Sequence, residues 1–222
     1  MNPYRAIVFD AYGTLLDVYS LQAFLDHTFG EKGAVISQIW RQKQLSYTWL
    51  RTLMGSYRPF SEVTAEALRF ACASVGIELT AEQQADLLTA YDQLDCFPVV
   101  PAVLEQLAAH YPLAVLSNAD EGMLQGALQH NHLLPYLSAV LSANSLQQFK
   151  PLPAVYQLAT DHFQCLPEEL LFVSGNTWDV NGARAFGLSV AWLNRQNGPW
   201  ESLDQSPHLI VPDLLHLQAA VI

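Results

Sequence analysis

The chain has 222 residues, of which 51% are hydrophobic and 14% are charged. This content of apolar side chains supports a large buried core and excludes an intrinsically disordered chain. The 10 Lys and Arg residues stand against 21 Asp and Glu residues, which gives a formal net charge of −11. A protein with a large negative net charge repels the phosphate backbone, so we expect no nucleic-acid partner.

The sequence shows no pattern typical of secretion, membrane insertion or a structural metal site. The apolar run near the N-terminus is too short for a secretory signal, and no other run is long enough to cross a bilayer. The three cysteines are far apart, with neither CxxC spacing nor a histidine at ligand spacing. We therefore expect a cytoplasmic protein with free cysteines and no membrane partner.

Six short apolar runs are typical of strands buried on both faces of a parallel sheet. They extend from Ala6 to Phe9, Leu113 to Leu116, Ala139 to Leu141, Leu170 to Val173, Ser189 to Leu193 and Leu209 to Val211. From Val99 onward these runs alternate with helical patterns. The alternation favours an α/β fold with a doubly wound, Rossmann-like parallel sheet.

About a hundred residues between the first two predicted strands have helical periodicity instead. Apolar residues recur at three- and four-residue spacing from Val35 onward, and Thr80 with Gln83 has the pattern of a capping box. We therefore expect an all-helical cap at residues 16–97. It is inserted after strand one into an α/β catalytic core that comprises residues 1–15 and 98–222.

The carboxyl ends of the predicted strands carry the candidate functional residues, because ligands of open parallel sheets bind there. Four successive ends offer an acid, a hydroxyl with an amide, a lysine and a second acid. In chain order they are Asp10, Ser117 with Asn118, Lys150, and Asp179 in the segment from Ser174. Any one of these residues also occurs in ordinary turns, so the candidate site depends on the whole set.

Taken together, these residues resemble the haloacid dehalogenase superfamily. Its core carries a nucleophilic Asp after strand one, Ser or Thr after strand two, a Lys before a helix and an acidic cluster after strand four. The most specific match is the segment Phe9-Asp10-Ala11-Tyr12-Gly13-Thr14-Leu15. The helical insert also has the position of that superfamily's cap, so the resemblance covers nearly the whole chain.

Two positions depart from the phosphatases of that superfamily. Tyr12 stands where they have a second Asp that protonates the leaving oxygen, and Ser174 stands where they have a magnesium-binding Asp. Phosphoryl transfer needs the cation and usually the proton, whereas a halide leaves as a free anion without either. The departures therefore favour displacement of a halide, with no metal and no cofactor.

With Arg41 in the predicted cap, the site resembles that of the L-2-haloacid dehalogenases. The resemblance implies that Asp10 attacks C2 of a short (S)-2-haloalkanoic acid with inversion and forms an aspartyl ester. Water then hydrolyses the ester to give an (R)-2-hydroxyalkanoic acid. The resemblance also implies that Lys150 holds Asp10 ionised and that Arg41 and Asn118 cradle the halide.

The same resemblance assigns roles to three further groups of residues. The substrate carboxylate is bound by Ser117 and by the backbone amides that follow Asp10, at Ala11 and Tyr12. The catalytic groups and the hydrolytic water are oriented by Thr14, Ser174, Asn176 and Asp179. The apolar wall around the alkyl group is formed by Tyr12, Leu45, Phe60 and Trp178. Tyr156 is a further candidate, which either hydrogen-bonds in the site or only packs against it.

Three further expectations concern Asp179, Tyr156 and Gly175. The sequence leaves open whether Asp179 activates water, pairs with Lys150 or only starts a helix. Tyr156 is expected one turn after Lys150 on the same helix. Gly175 is expected to make its loop more flexible, without a chemical role.

Two alternative functions also stay open. One is a magnesium-dependent small-molecule phosphatase of the same fold, with Asp10 and Asp179 holding the metal. The other is a non-catalytic relative that binds a carboxylate metabolite. Members of the family are often dimers through their cap helices, and the apolar content of this chain permits a homodimer.

Overall fold

The structure, a computed structural model, describes residues 4–203 and 205–222. Residues 1–3 and 204 belong to the predicted core segments and lie outside the described residues. Within these limits, no helix is long and apolar enough to cross a membrane. Cys72, Cys96 and Cys165 are free thiols.

One sheet of six parallel strands organises the chain. The strands are β1 (Ala6–Phe9), β2 (Leu113–Ser117), β3 (Ala139–Ser142), β4 (Leu170–Ser174), β5 (Ser189–Leu193) and β6 (Leu209–Val211). Their order across the sheet is β3-β2-β1-β4-β5-β6. The predicted doubly wound α/β fold is confirmed, and each predicted strand ends within one residue of the observed end.

Helices cover both faces of the sheet. In the described residues they are α1 (Gln22–Phe29), α2 (Gly33–Met54), α3 (Phe60–Ser74), α4 (Ala81–Asp92), α5 (Val100–Ala108), α6 (Glu121–His130), α7 (Pro153–Phe163), α8 (Thr177–Phe186) and α9 (Leu214–Val221). Ile7 and Phe9 of β1 belong to an apolar cluster with α5, α6 and α9, whereas Ala6 and Val8 belong to a second cluster with α7 and α8. This alternation follows from the two-residue period of a strand.

Helices α1 to α4 lie between β1 and α5, where the sequence predicts the helical insert. The predicted capping box at the start of α4 is confirmed, because the Gln83 amide donates to Thr80 Oγ1 and the Thr80 amide to Gln83 Oε1, both at 3.1 Å. On α2, Ile36 and Trp40 are buried against the rest of the molecule. Leu53 belongs to the same predicted apolar pattern but is 83% exposed, so periodicity alone does not define the buried face.

The chain enters and leaves this helical region through two segments that run side by side. Leu16 and Cys96 form an antiparallel bridge, and the Phe97 amide donates to the Leu15 carbonyl at 3.0 Å. The Asp17 amide donates to the Asp95 carbonyl at 2.8 Å. The predicted limits at residues 16 and 97 fall on this paired connection, which lies directly after the loop that follows β1.

Candidate functional site

A tight turn after β1 places Asp10 at the carboxyl edge of the sheet. The Asp10 amide continues the ladder by donating to the Val173 carbonyl at 2.9 Å. The amides of Thr14, Leu15 and Leu16 all donate to the Ala11 carbonyl, at 3.2, 2.9 and 2.9 Å, and this closes the turn. Gly13 has a φ of +87°, which glycine adopts without strain. The Asp10 side chain is thereby held in a fixed direction, and the residue is only 5% exposed.

Three donors bind the Asp10 carboxylate. Lys150 Nζ lies 3.1 Å from Oδ1, while Thr14 Oγ1 and Asn176 Nδ2 donate to Oδ2 at 2.8 and 2.9 Å. The donors come from the turn after β1, the segment after β3 and the loop after β4. Three donors from three different segments thus hold the Asp10 carboxylate in one orientation.

Lys150 is completely buried between two carboxylates. Its ammonium group lies 2.9 Å from Asp179 Oδ2 as well as 3.1 Å from Asp10 Oδ1. Burial lowers the pKa of Lys150, but the charges of Asp10 and Asp179 outweigh it and hold the pKa above the usual value of 10.5. Lys150 precedes α7, which begins at Pro153, so the prediction that Lys150 and Tyr156 share a helix is wrong.

Asp179, the third residue of α8, is completely buried and pairs with Lys150. Tyr156 OH donates to Asp179 Oδ1 at 2.7 Å and to its carbonyl at 3.1 Å. Burial raises the pKa of Asp179 to about 6, although the Lys150 ammonium acts against it. Burial, together with the charge of Asp179, raises the pKa of Tyr156 well above 10. The carboxylate is part of the charged network and makes no helix-capping bond.

The acidic groups of this site do not fit a divalent cation. The Lys150 ammonium fills the space between Asp10 and Asp179, and Tyr156 takes a further oxygen of Asp179. Throughout residues 4–203 and 205–222, no three His, Cys, Asp or Glu side chains come together as a metal site would require. The two carboxylates are instead arranged around a buried, ion-paired lysine.

The loop after β4 packs closely on the turn after β1. Asn176 Nδ2 also donates to the Tyr12 carbonyl at 3.0 Å, the Gly175 amide donates to Thr14 Oγ1 at 2.9 Å, and Ser174 Oγ accepts from the Asn176 amide at 3.1 Å. A Cβ on Gly175 would lie 2.4 Å from the Gly13 carbonyl oxygen. Gly175 therefore permits close contact between two backbones, and the expectation that it only loosens its loop is wrong.

Arg41 reaches the site from α2. Its Nη2 donates to the Tyr12 carbonyl at 3.2 Å and to Asn176 Oδ1 at 3.4 Å, while Nη1 donates to Gln44 Oε1 at 2.8 Å. Trp40, the preceding residue, is buried. The helix therefore buries its indole and directs the neighbouring guanidinium toward the loops after β1 and β4.

A small cavity lies against Asp10 and joins residues from both regions. It is lined by Asp10, Tyr12, Arg41, Leu45, Phe60, Ser117, Asn118, Asn176 and Trp178. Its walls thus combine an anionic oxygen, a guanidinium, amides and aromatic rings. The structure brings together every predicted site residue, either on this cavity or within the hydrogen-bond network behind it.

The loop after β2 completes the polar side of the cavity. Asn118 Oδ1 accepts from the Lys150 amide at 2.8 Å, which fixes the Asn118 side chain. Ser117 Oγ accepts from the Ala119 amide at 3.2 Å. The backbone amides of Ala11 and Tyr12 donate no hydrogen bond to any described residue. Two adjacent unpaired amides beside a cavity are suited to bind an anion.

Sequence reasoning missed three residues that support the site. Gln44 is buried and contacts Arg41, Tyr91 and Thr64, and its i+3 spacing from Arg41 on α2 was the available signal. Asp120 accepts from the Phe60 amide at 2.6 Å and so joins the start of α3 to the loop after β2. Arg195 donates to the turn after β1, and no local sequence pattern indicates this long-range contact.

Comparison with known proteins agrees with this geometry. The haloacid dehalogenase-like hydrolase family matches residues 4–187. The (S)-2-haloacid dehalogenase 1 of Pseudomonas sp. (strain CBS-3) is 44% identical over 202 residues, covering 90% of this chain and 89% of that protein.

Two solved structures have the same fold over nearly their whole length. A dehalogenase crystal structure with an intermediate complex has a TM-score of 0.96 at 39% identity and covers 100% of this chain and 98% of its own. The L-2-haloacid dehalogenase of Xanthobacter autotrophicus, with chloropropionic acid covalently bound, has a TM-score of 0.93 at 36% identity and covers 98% of each chain. This chain therefore belongs to the haloacid dehalogenase-like hydrolases, within the (S)-2-haloacid dehalogenase group.

Proposed function

We propose that the protein hydrolyses short (S)-2-haloalkanoic acids to (R)-2-hydroxyalkanoic acids through an ester on Asp10, without a metal ion. The observation that carries this proposal is the Lys150 ammonium, which bridges Asp10 and Asp179 at 3.1 and 2.9 Å beside the cavity. This ammonium pairs with the Asp10 carboxylate through Oδ1. A carboxylate in the wall of a cavity is a nucleophile that needs no activating base.

In the first step, an oxygen of Asp10 forms a bond to C2 while the carbon–halogen bond breaks on the opposite side. The halogen leaves with the bonding electron pair as a halide ion, and C2 is inverted. The substrate carboxylate is held by Ser117 and by the amides of Ala11 and Tyr12, which are unpaired within the described chain. The alkyl group lies against the apolar wall formed by Tyr12, Leu45, Phe60 and Trp178.

Arg41 and Asn118 form the halide cradle. Both line the cavity with Asp10 but approach it from different regions, Arg41 from α2 and Asn118 from the loop after β2. Guanidinium and amide groups donate hydrogen bonds to an anion without losing a proton. The developing negative charge therefore meets donors that are already in place.

In the second step, water adds to the ester carbonyl carbon of Asp10. The bond between that carbonyl carbon and the oxygen that links it to C2 breaks, so this Asp10 oxygen leaves with the 2-hydroxyacid and the water oxygen completes the Asp10 carboxylate. One proton of the water remains on the product hydroxyl and the other is released. Asn176 and Thr14 donate to Oδ2 of Asp10 and orient the reacting carboxyl group, while Asp179 holds the Lys150 ammonium against it.

We also propose that residues 16–97 form a cap that closes the site. Arg41, Leu45 and Phe60 of this region line the cavity, while Asp10, Lys150 and Asp179 belong to the core. The paired connection at Leu16 and Cys96 joins the two regions next to the nucleophile turn. A cap in this position excludes water from the first step and selects the size of the alkyl group.

The reaction can be tested by chloride release and isotope labelling. The protein is incubated with each enantiomer of 2-chloropropionate in excess EDTA, and we expect free chloride only from the S form. A single turnover in H₂¹⁸O should then place the label in the peptide that contains Asp10, as read by mass spectrometry. Product formed with an unlabelled peptide contradicts the ester route. Hydrolysis of p-nitrophenyl phosphate that requires magnesium would instead support the phosphatase alternative.

We further propose that two copies associate through the outer face of α2 and α3. Leu50, Leu53, Met54 and Phe70 are 48%, 83%, 66% and 42% exposed, and apolar exposure of this kind marks interaction surfaces. Light scattering after gel filtration should give about twice the monomer mass, and Leu53→Glu should return the monomer. The cytoplasmic location stays a prediction.

A further inference from the structure

Arg195 lies in the loop after β5 and donates to two backbone carbonyls of the nucleophile turn. Its Nη2 lies 2.7 Å from the Thr14 carbonyl oxygen and its Nη1 lies 3.3 Å from the Gly13 carbonyl oxygen. The side chain is half-buried. Over the described ranges, no carboxylate lies within 4.0 Å of its guanidinium. Arg195 thus directs its donors to backbone carbonyls rather than to an ion pair.

The same guanidinium contacts the connection to the helical region. The guanidinium carbon, Cζ, lies 3.9 Å from the centre of the Phe97 ring, which is a cation–π contact. The Phe97 amide donates to the Leu15 carbonyl at 3.0 Å. One side chain therefore joins the loop after β5, the turn after β1 and the segment that returns from the helices.

The geometry points to Arg195 as a positioning residue for the proposed dehalogenation, acting through the turn that carries Asp10. This inference rests on the proposed function. Arg195 does not line the cavity that contains Asp10, so it does not contact the reacting atoms there. Its partners, the Gly13 and Thr14 carbonyls, are three and four residues from the nucleophile.

The contact acts on the turn through its peptide groups. The peptides whose oxygens bind Arg195 have their N–H groups at Thr14 and Leu15, and both donate to the Ala11 carbonyl. A cation at the oxygen end polarises a peptide and strengthens the hydrogen bond that its N–H donates. Gly175 packs so closely on the Gly13 oxygen that the turn has little room on that side. Loss of Arg195 therefore loosens the turn, with Asp10 and the amides of Ala11 and Tyr12 on it.

Two substitutions separate the parts of this interaction. Arg195→Met keeps an apolar stem over Phe97 but removes every donor, whereas Arg195→Lys keeps the charge but not the planar pair of donors. We expect the kcat for (S)-2-chloropropionate to fall about 100-fold in Arg195→Met and about 10-fold in Arg195→Lys, because small misplacement of a nucleophile slows its attack by such factors. Chloride release in a single turnover should slow by the same factors, and KM should rise as well, because the same turn carries the amides that bind the substrate carboxylate.

Arg51 offers a matched control. Its guanidinium also donates to a backbone carbonyl, that of Ser56 at 2.9 Å, and it pairs with Glu66 at 2.7 Å on the outer side of α2 and α3. Arg51→Met should lower the melting temperature but leave the kcat within about twofold of wild type, because Arg51 lines neither the cavity nor the turn that carries Asp10. Methylguanidinium added to a third variant, Arg195→Ala, should restore part of the single-turnover rate.

The outcomes separate this inference from the proposed function. If the wild-type protein releases no chloride, the proposed function is wrong, and this inference, which depends on it, is wrong as well. An active wild type, together with a folded Arg195→Lys whose single-turnover rate is unchanged, overturns the positioning role alone. It is equally overturned if Arg51→Met lowers the rate as much as Arg195→Met does, since the loss is then one of general stability. If Arg195→Met does not fold, the positioning role is tested by the single-turnover rate of Arg195→Lys and by that of Arg195→Ala with methylguanidinium. Unchanged Arg195→Lys and no rescue of Arg195→Ala contradict the role.

Discussion

The sheet and the helical region hold their parts of the site in different ways. Asp10 accepts three hydrogen bonds of 2.8 to 3.1 Å, and all three donors follow strands of the sheet. Arg41, the charged group from the helices, reaches Tyr12 and Asn176 at 3.2 and 3.4 Å. The nucleophile is thus fixed by short bonds within one rigid layer. The position of Arg41, to which we assign the halide, depends on how the two regions pack together.

The two regions also differ in the burial of charge. Lys150 and Asp179 are completely buried, so each depends on its partners for electrostatic compensation. Arg41 is only partly buried and is held by Gln44 of its own helix at 2.8 Å. Removing a core charge should therefore affect both activity and stability, whereas removing Arg41 should affect activity alone.

Lys150→Met is the strongest test of this difference. It leaves Asp10 and Asp179 buried without their shared cation, which costs about 3–5 kcal/mol of unfolding free energy for a buried pair. Chloride release should fall by roughly 10³-fold, because the carboxylate loses its main electrostatic support. Urea unfolding and a chloride assay measure the two effects. Lys43→Met, on the surface of α2, is the control and should change neither strongly.

Arg41→Gln should lower chloride release by roughly 10²-fold, the usual effect of removing a donor that stabilises developing charge. Its unfolding free energy should stay within about 1 kcal/mol of wild type, since the side chain is partly solvated. The loss should be larger for chloride than for iodide as leaving group, because chloride accepts stronger hydrogen bonds. Equal losses for both halides contradict the cradle. Arg58→Gln, in an exposed pair with Glu62, is the matched control.

The raised pKa of Asp179 predicts an unusual pH dependence in the core. Because the carboxyl titrates at about 6 instead of 3.8, activity that needs the charged form should fall about tenfold per pH unit below pH 6. The folded state binds this proton more tightly than the unfolded state, so Asp179 makes the unfolding free energy decrease as pH rises from about 4 to 6.

The variant Asp179→Asn isolates both effects. Its residual activity should lose the acid limb near pH 6, and its urea midpoint should decrease less between pH 4 and 6 than that of wild type. An acid limb that persists unchanged in Asp179→Asn assigns the titration to another group.

The smallest expected effect lies at the start of α4, far along the chain from the site. Thr80→Ala removes one bond of the capping box and should lower the unfolding free energy by about 1 kcal/mol. The kcat should stay within about twofold of wild type, because no residue of α4 lines the cavity. A larger loss of activity would mean that the helices and the sheet are more tightly coupled than their contacts indicate.

Much of the fold could be predicted because the signals are local. A continuous apolar run indicates a strand, and each of the six runs forms a strand of the sheet. The predicted burial on both faces is wrong for the edge strand β6, where Ile210 is 57% exposed. The capping box at Thr80 and Gln83 is a contact within four residues, so the sequence contains all of it. The exposure of Leu53 could not be predicted, because helical spacing defines a stripe without saying what packs against it.

By itself, the sequence determined the order of strands and helices and the polar residues at each strand end, since these follow from hydrophobic period and residue type. Only the tertiary structure decided that Lys150 is shared by Asp10 and Asp179, that Gly175 lies on the Gly13 backbone and that Arg195 holds the nucleophile turn. These contacts join segments 29 to 182 residues apart. Their geometry depends on how the loops at the carboxyl edge of the sheet meet, which no local pattern encodes.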